Sequence, residues 1–175
     1  MNKERAKLHG RVHVFGDDIN TDYIIAGKYK FKTNDMRELA RHAFEDIDPE
    51  FIARVQPGDI VVAGNNFGCG SSREQAPLVL LHAGISAVVA TSFARIFFRN
   101  AINTGLPVLQ CPVEGLQNGD QLSVDLATGE IMAGDGRKWQ ANPLPPVMLQ
   151  ILQNGGLVPH IKKHGGFGFE GGAAD

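Results

Sequence analysis

The chain has 175 residues, 43% of them hydrophobic and 7% aromatic, which is enough for one sizeable core and too little for two full-sized domains. Seventeen Lys and Arg stand against 19 Asp and Glu, and a net charge of −2 gives no electrostatic footprint for nucleic acid or an anionic membrane. No stretch approaches the roughly 20 consecutive apolar residues of a membrane span, and Met1–Gly10 lacks the apolar core of a signal peptide, so the sequence reads as cytoplasmic.

In chain order, residues 10–15 alternate and carry β-branched and aromatic side chains, the pattern of a strand, and GDDINTD after them is turn chemistry. A charge-rich loop is expected over 27–35. Met36, Leu39, Ala40, Ala43 and Phe44 recur at helical spacing behind Asp35, a candidate N-cap, which predicts a helix over 35–44. DIVVAG at 59–64 reads as an apolar strand, 65–72 as a Gly-rich loop, and 73–83 as a helix closed by Gly84. ISAVVAT follows as a strand, 93–104 as a helix closed by Gly105, and LPVLQC as a third strand, so these elements imply parallel crossovers. LSVDLATGEIMAG predicts an antiparallel hairpin around Thr128-Gly129, and 147–153 a short helix after Pro145-Pro146. The expected class is α/β with an added hairpin, in one domain over 1–175 with 1–9 and 165–175 as flexible tails.

Cys69 and Cys111 are the only cysteines and lack CxxC spacing, so neither a disulfide framework nor an autonomous cysteine-ligated metal centre is expected. The six histidines show no ligand spacing, and none is assigned a role. Cys69 has no basic neighbour to activate it and is read as a small packing residue.

The most informative stretch is GNNFGCGSSREQAP, Gly64 to Pro77, which joins a predicted strand to a predicted helix, where α/β sheets form ligand crevices. Gly64, Gly68 and Gly70 let the backbone turn tightly and approach a ligand, the helix start offers unpaired N–H groups to an anion, and Arg73 could grip a carboxylate through two bonds. Alternatively, Ser71 and Glu74 form an S-x-x-E capping box that needs no ligand. A dinucleotide-binding turn fits less well, since Arg73 replaces the third small residue and Ala90-Thr91-Ser92 offers no acid for a ribose. A P-loop is excluded by the lack of Gly-Lys-Ser/Thr.

This stretch resembles the swivelling domain of the aconitase superfamily, most of all the separate small subunits of 3-isopropylmalate dehydratase and homoaconitase. Asp18 to Asp22 with Ile24-Ile25, Asp48 to Phe51, and Ser92 to Asn100 (SFARIFFRN) carry the same resemblance, which runs from about Gly10 to Pro112. It implies a three-layer β/β/α swivelling domain with a parallel βαβαβ core and an antiparallel hairpin. This chain would bind no cofactor or metal itself and would close over a 4Fe–4S cluster held by three cysteines of a large-subunit partner, in a heterodimer or heterotetramer.

The implied chemistry is a hydro-lyase isomerisation of a hydroxy di- or tricarboxylic acid: 3-isopropylmalate first, homocitrate or 2,3-dimethylmalate as alternatives. Residue by residue, the resemblance makes Ser71 the base, with Ser72 hydrogen-bonded to substrate and Arg73 holding a carboxylate. Lys32 is the basic residue of the preceding loop, and Asp22, Gly68 and Gly70 are supporting groups. Close relatives often read Tyr-Leu-Arg-Thr where this chain has Tyr-Lys-Phe-Lys-Thr, one residue longer with Lys for Arg, so Lys32 would grip a carboxylate less directionally. Asp22 pairs with basic groups or is an Asx-turn residue; Arg95 and Arg99, four apart, contact a partner or an acid or are simply solvated. The competing class is a stand-alone anion- or metabolite-binding module without chemistry.

Overall fold

The computed structural model describes residues 7–30 and 32–166. The strands are β1 (Lys7–Val14), β2 (Ile60–Ala63), β3 (Ala87–Ala90), β4 (Val108–Gln110), β5 (Gln121–Asp125), β6 (Glu130–Ala133) and β7 (Lys138–Gln140). The helices are α1 (Thr21–Ile24), α2 (Gly27–Lys30), α3 (Met36–Ala40), α4 (Phe51–Arg54), α5 (Gln75–Ala83), α6 (Arg95–Thr104), α7 (Pro146–Gln153) and α8 (Leu157–His164). No helix among the described residues is long and apolar enough to cross a membrane.

The strands follow one another in the order β4-β3-β2-β1-β5-β6-β7. β1 to β4 pair in parallel, and β1, β5, β6 and β7 pair antiparallel. β2 (IVVA) and β3 (AVVA) are buried at every position, as unbroken apolar strands covered on both faces must be. β6 instead alternates exposed and buried residues, one face wet. β1 joins the halves by changing partner along its length: Lys7 to Arg11 pair with β5, and Val12 to Val14 with β2. The α/β class, the parallel βαβαβ core and the hairpin are therefore present as expected, and β7 extends the hairpin to three strands.

Several boundaries differ from the sequence reading for identifiable reasons. β1 starts at Lys7, so residues 7–9 are paired strand rather than flexible tail, because β5 supplies their hydrogen bonds. Gly165 closes α8 in a left-handed conformation, and the rest of the expected tail, 167–175, lies outside the described residues, as does 1–6. Asp35 does cap α3, accepting from the Arg37 N–H at 2.8 Å, but the helix ends at Ala40. Phe44 takes φ +57, and its N–H donates to the Ile24 carbonyl, which drops the ring into the core against Phe15 and Phe51.

Just before β2 the buried Asp59 is held by four groups. His13 Nε2 lies 2.8 Å from Oδ2, the Gln56 N–H donates at 2.9 Å, and Arg11 donates through its guanidinium and its backbone N–H. Burial alone would raise the Asp59 pKa, but the hydrogen bonds from His13 and Gln56 and the Arg11 charge outweigh it and leave it below the ordinary value. A carboxyl whose folded pKa is depressed stabilises fully above its unfolded value, and that contribution disappears as pH falls through the folded value. Asp59→Ala, which strands His13 and Arg11, should cost about 3–5 kcal/mol near neutral pH. In denaturant melts of parent and variant, this difference should narrow below about pH 4; a difference independent of pH would disprove the assignment.

Candidate active site

Three loops converge where β1, β2 and β3 deliver their carboxyl ends, the side of an open parallel sheet where crevices form. Residues 17–21 follow β1, 64–74 follow β2, and 91–94 follow β3. Main-chain hydrogen bonds bind the first two together: Asp18 N–H to the Asn65 carbonyl at 2.8 Å, Gly68 N–H to Ile19 at 2.7 Å, and Thr21 N–H to Cys69 at 2.8 Å. The third loop grips the other side through Phe67 N–H to the Ser92 carbonyl (3.0 Å) and Ala94 N–H to the Phe67 carbonyl (2.9 Å).

Gly68 sits at φ +78, and a Cβ there would fall 2.1 Å from Phe97 Cγ. No other residue allows the loop to lie on the Phe67–Phe97 edge-to-face pair, which is buried beneath it. Gly70, at φ +92, then turns the chain so that Ser71 faces α1.

Ser71 is exposed, and its hydroxyl lies 3.2 Å from that of Thr21, which also reaches the Ser71 carbonyl at 3.1 Å. The capping box does not form: α5 begins only at Gln75, its N-cap is Glu74, and no side chain bonds to the helix start. The Ser71 hydroxyl is therefore not committed to the helix. Ser72 is exposed beside it. Arg73 turns toward α1 and α2, where Nη1 donates to the Ile25 carbonyl at 3.0 Å and pairs with Asp22 Oδ1 at 2.5 Å. Asp22 thus holds the arginine, which decides between the two readings the sequence left open.

A pocket of about 540 Å³ opens between Gly68, Gly70 and Ser71 on one wall and Ala94, Arg95, Ile96 and Arg99 on the other. The sequence left Arg95 and Arg99 open between a partner, an acid and solvent, and both line the cavity that Ser71 borders. The signal available was their spacing of four behind a strand end. Thr21 also escaped assignment, because its contact with Ser71 spans 50 positions.

Lys32 is not among the residues lining this pocket. Its Nζ stands 5.6 Å from the Tyr29 ring centroid. Tyr29 stacks on His42 at 3.8 Å and donates its hydroxyl to Glu45 Oε2 at 2.7 Å, which fastens α2 to the turn after α3. The hydrogen bonds from Tyr29 and then His42 lower the Glu45 pKa, and the bond to Glu45 raises that of Tyr29. The structure therefore brings Ser71, Gly68 and Gly70 to one pocket edge, leaves Ser72 exposed next to Ser71 in the chain, and docks Arg73 on Asp22. Lys32 stands on a separately anchored loop.

Burial, then the charge of Asp18, pushes the Cys69 thiol up, and burial does the same for Cys111, so neither is a reactive thiolate. Among the described residues, no three His, Cys, Asp or Glu side chains are grouped to hold a metal ion.

A seven-strand mixed sheet, with a hydroxyl-bearing glycine loop at the carboxyl ends of its parallel half, is the swivelling-domain architecture of the aconitase small-subunit type. The chain belongs to the Aconitase C-terminal domain family, whose model matches residues 17–114. It is 54% identical over 160 residues to 3-isopropylmalate dehydratase small subunit 2 of Archaeoglobus fulgidus, covering 91% of this chain and 97% of that one. It is 52% identical over 157 residues to the methanogen homoaconitase small subunit of Methanothermobacter thermautotrophicus, covering 89% and 91%. A crystal structure of 3-isopropylmalate dehydratase from Methanocaldococcus jannaschii superposes with a TM-score of 0.86 at 44% identity, covering 91% of this chain and 95% of that one.

Gly68→Ala should cost at least about 2 kcal/mol, since it combines a left-handed backbone with a clash on Phe97. A melting curve indistinguishable from that of the parent would show that the loop does not depend on this approach.

Proposed function

We propose that this chain is the small subunit of a heteromeric, cytoplasmic hydro-lyase that isomerises a hydroxy di- or tricarboxylic acid by dehydration and rehydration, with 3-isopropylmalate as the leading substrate. The carrying observation is the exposed Ser71 hydroxyl, 3.2 Å from that of Thr21, on the rim of a pocket bordered by two guanidinium groups. The relatives named above, called 3-isopropylmalate dehydratase small subunits, support the substrate, and the homoaconitase small subunit at 52% identity supports homocitrate as the second reading.

In this proposal Ser71 Oγ takes the carbon-bound proton of the substrate, and the alkene acid forms as hydroxide leaves the neighbouring carbon. Returning the elements of water in the opposite sense completes the isomerisation. A serine is a weak base, so its alkoxide must be favoured by positive surroundings. The first-turn N–H groups of α6 and the arginines across the pocket provide such a field, and the Thr21 hydroxyl lies 3.2 Å from that of Ser71. Ser72 hydrogen-bonds the substrate. Arg73, held in orientation by Asp22 through Nη1, offers its remaining donors to a carboxylate, and Lys32 supplies a further cation. A 4Fe–4S cluster, assigned to the large-subunit partner, would supply Lewis acidity at the departing hydroxyl.

Mixing the chain with a cluster-loaded large subunit and following alkene absorbance should reveal turnover of one acid among 3-isopropylmalate, citrate, homocitrate and 2,3-dimethylmalate. The chain alone should be silent. Silence with all four acids in a verified complex rejects the proposal, and tight nucleotide binding by the lone chain would favour a binding module instead. In the active complex, Arg73→Ala should lower kcat/KM by about tenfold to a hundredfold, the size of a lost charge-assisted hydrogen bond.

A further inference from the structure

Helix α6 is built against the ordinary electrostatics of a helix start. Its N-cap is Ala94, which has no side chain to satisfy the first N–H groups, and no acidic residue lies in its first turn. The first residue is instead a cation, Arg95, at the positive end of the dipole. Arg99 stands four residues on, and like charges at that spacing repel. Among the described residues neither arginine makes an ion pair or a side-chain hydrogen bond; Arg11, Arg54, Arg73 and Arg137 each have a carboxylate, while Arg37 and Arg41, which are not among the residues lining this pocket, have none. Both exposed arginines border the roughly 540 Å³ pocket whose opposite wall is Ser71, and no acidic side chain lines it.

Local choices that each destabilise the free chain and that face one cavity mark a place where something is missing. We infer that Arg95 and Arg99 form a carboxylate subsite, which takes the carboxylate of the hydroxy acid remote from the carbon that Ser71 deprotonates. This rests on the proposed function and extends it, since Arg73 would then hold a different carboxylate. Two planar forks on one helix face suit an anion with several oxygens, and Ile96, exposed between them, offers an apolar surface to the substrate's carbon skeleton. Substrate charge fills the gap at the helix start and relieves the arginine repulsion together. Binding there therefore also stabilises the fold.

Two measurements test this, and only one needs the partner. In the thermal melt of the full chain alone, malonate or tricarballylate at millimolar concentration should raise the parental Tm. Arg95→Gln/Arg99→Gln should melt at or above the parent without anion and should lose the response. In a complex already shown to turn over, Arg99→Gln should raise KM about tenfold to a hundredfold while kcat falls less than about threefold, and Arg99→Lys should recover part of the loss. The inference is overturned if the double variant melts below the parent, if its anion response persists, or if KM is unchanged. It is also overturned if the variant weakens only association with the large subunit, because the pair would then be a docking contact. Failure of the parental complex to turn over counts against the proposed function, and the melts still decide this subsite.

Discussion

The main-chain bonding of one glycine loop between its two neighbours is what the rest of the site depends on. The N–H groups of Asp18, Gly68 and Thr21, and of Phe67 and Ala94, are all spent in holding residues 65–69 between 17–21 and 92–94. These loops leave three adjacent parallel strands, two of them buried throughout, so the close packing of that sheet passes into the position of Ser71. The proposed role of Ser71 as base needs such positioning, because a base displaced by an ångström loses most of its effect. Gly68 admits the loop to the Phe67–Phe97 pair, and Thr21 fixes the last step.

The site is rigid in its backbone and unfinished in its charges. Arg73 is neutralised by Asp22, whereas Arg95 and Arg99 face the pocket without a counter-charge, on a helix whose first turn is uncapped. Asp59 shows how the same fold treats a buried charge that has no function outside itself: four groups surround it, and its carboxyl is drawn down. In the proposed reading, the contrast between a satisfied acid and cations at the rim separates structural charge from charge kept for a ligand.

Much of this could be read locally. β2 and β3 are continuous apolar runs, and Gly84 and Gly105 stop α5 and α6 in left-handed caps as glycine after a periodic run predicts. What was not legible is tertiary. The helix starts at Arg73 and Phe93 fall short because Ser71 to Arg73 bond across to α1, and Phe93 and Ala94 to Phe67. β7 is three residues long, too short to show alternation, and α8 has Pro159 at its third residue, a first-turn position that the helix tolerates but that reads as a breaker. The Ser71–Thr21 contact and the shared cavity with Arg95 and Arg99 arise only when separate strand ends meet.

Deuterium wash-in from D2O at the reacting carbon, followed by proton NMR in the reconstituted complex, examines whether the loop hydroxyl moves the proton. The parental complex should exchange that hydrogen as it interconverts the isomers, while Ser71→Ala should bind the acid with little change in affinity and incorporate no deuterium above background. Wash-in by the alanine variant at the parental rate would show that another group carries the proton.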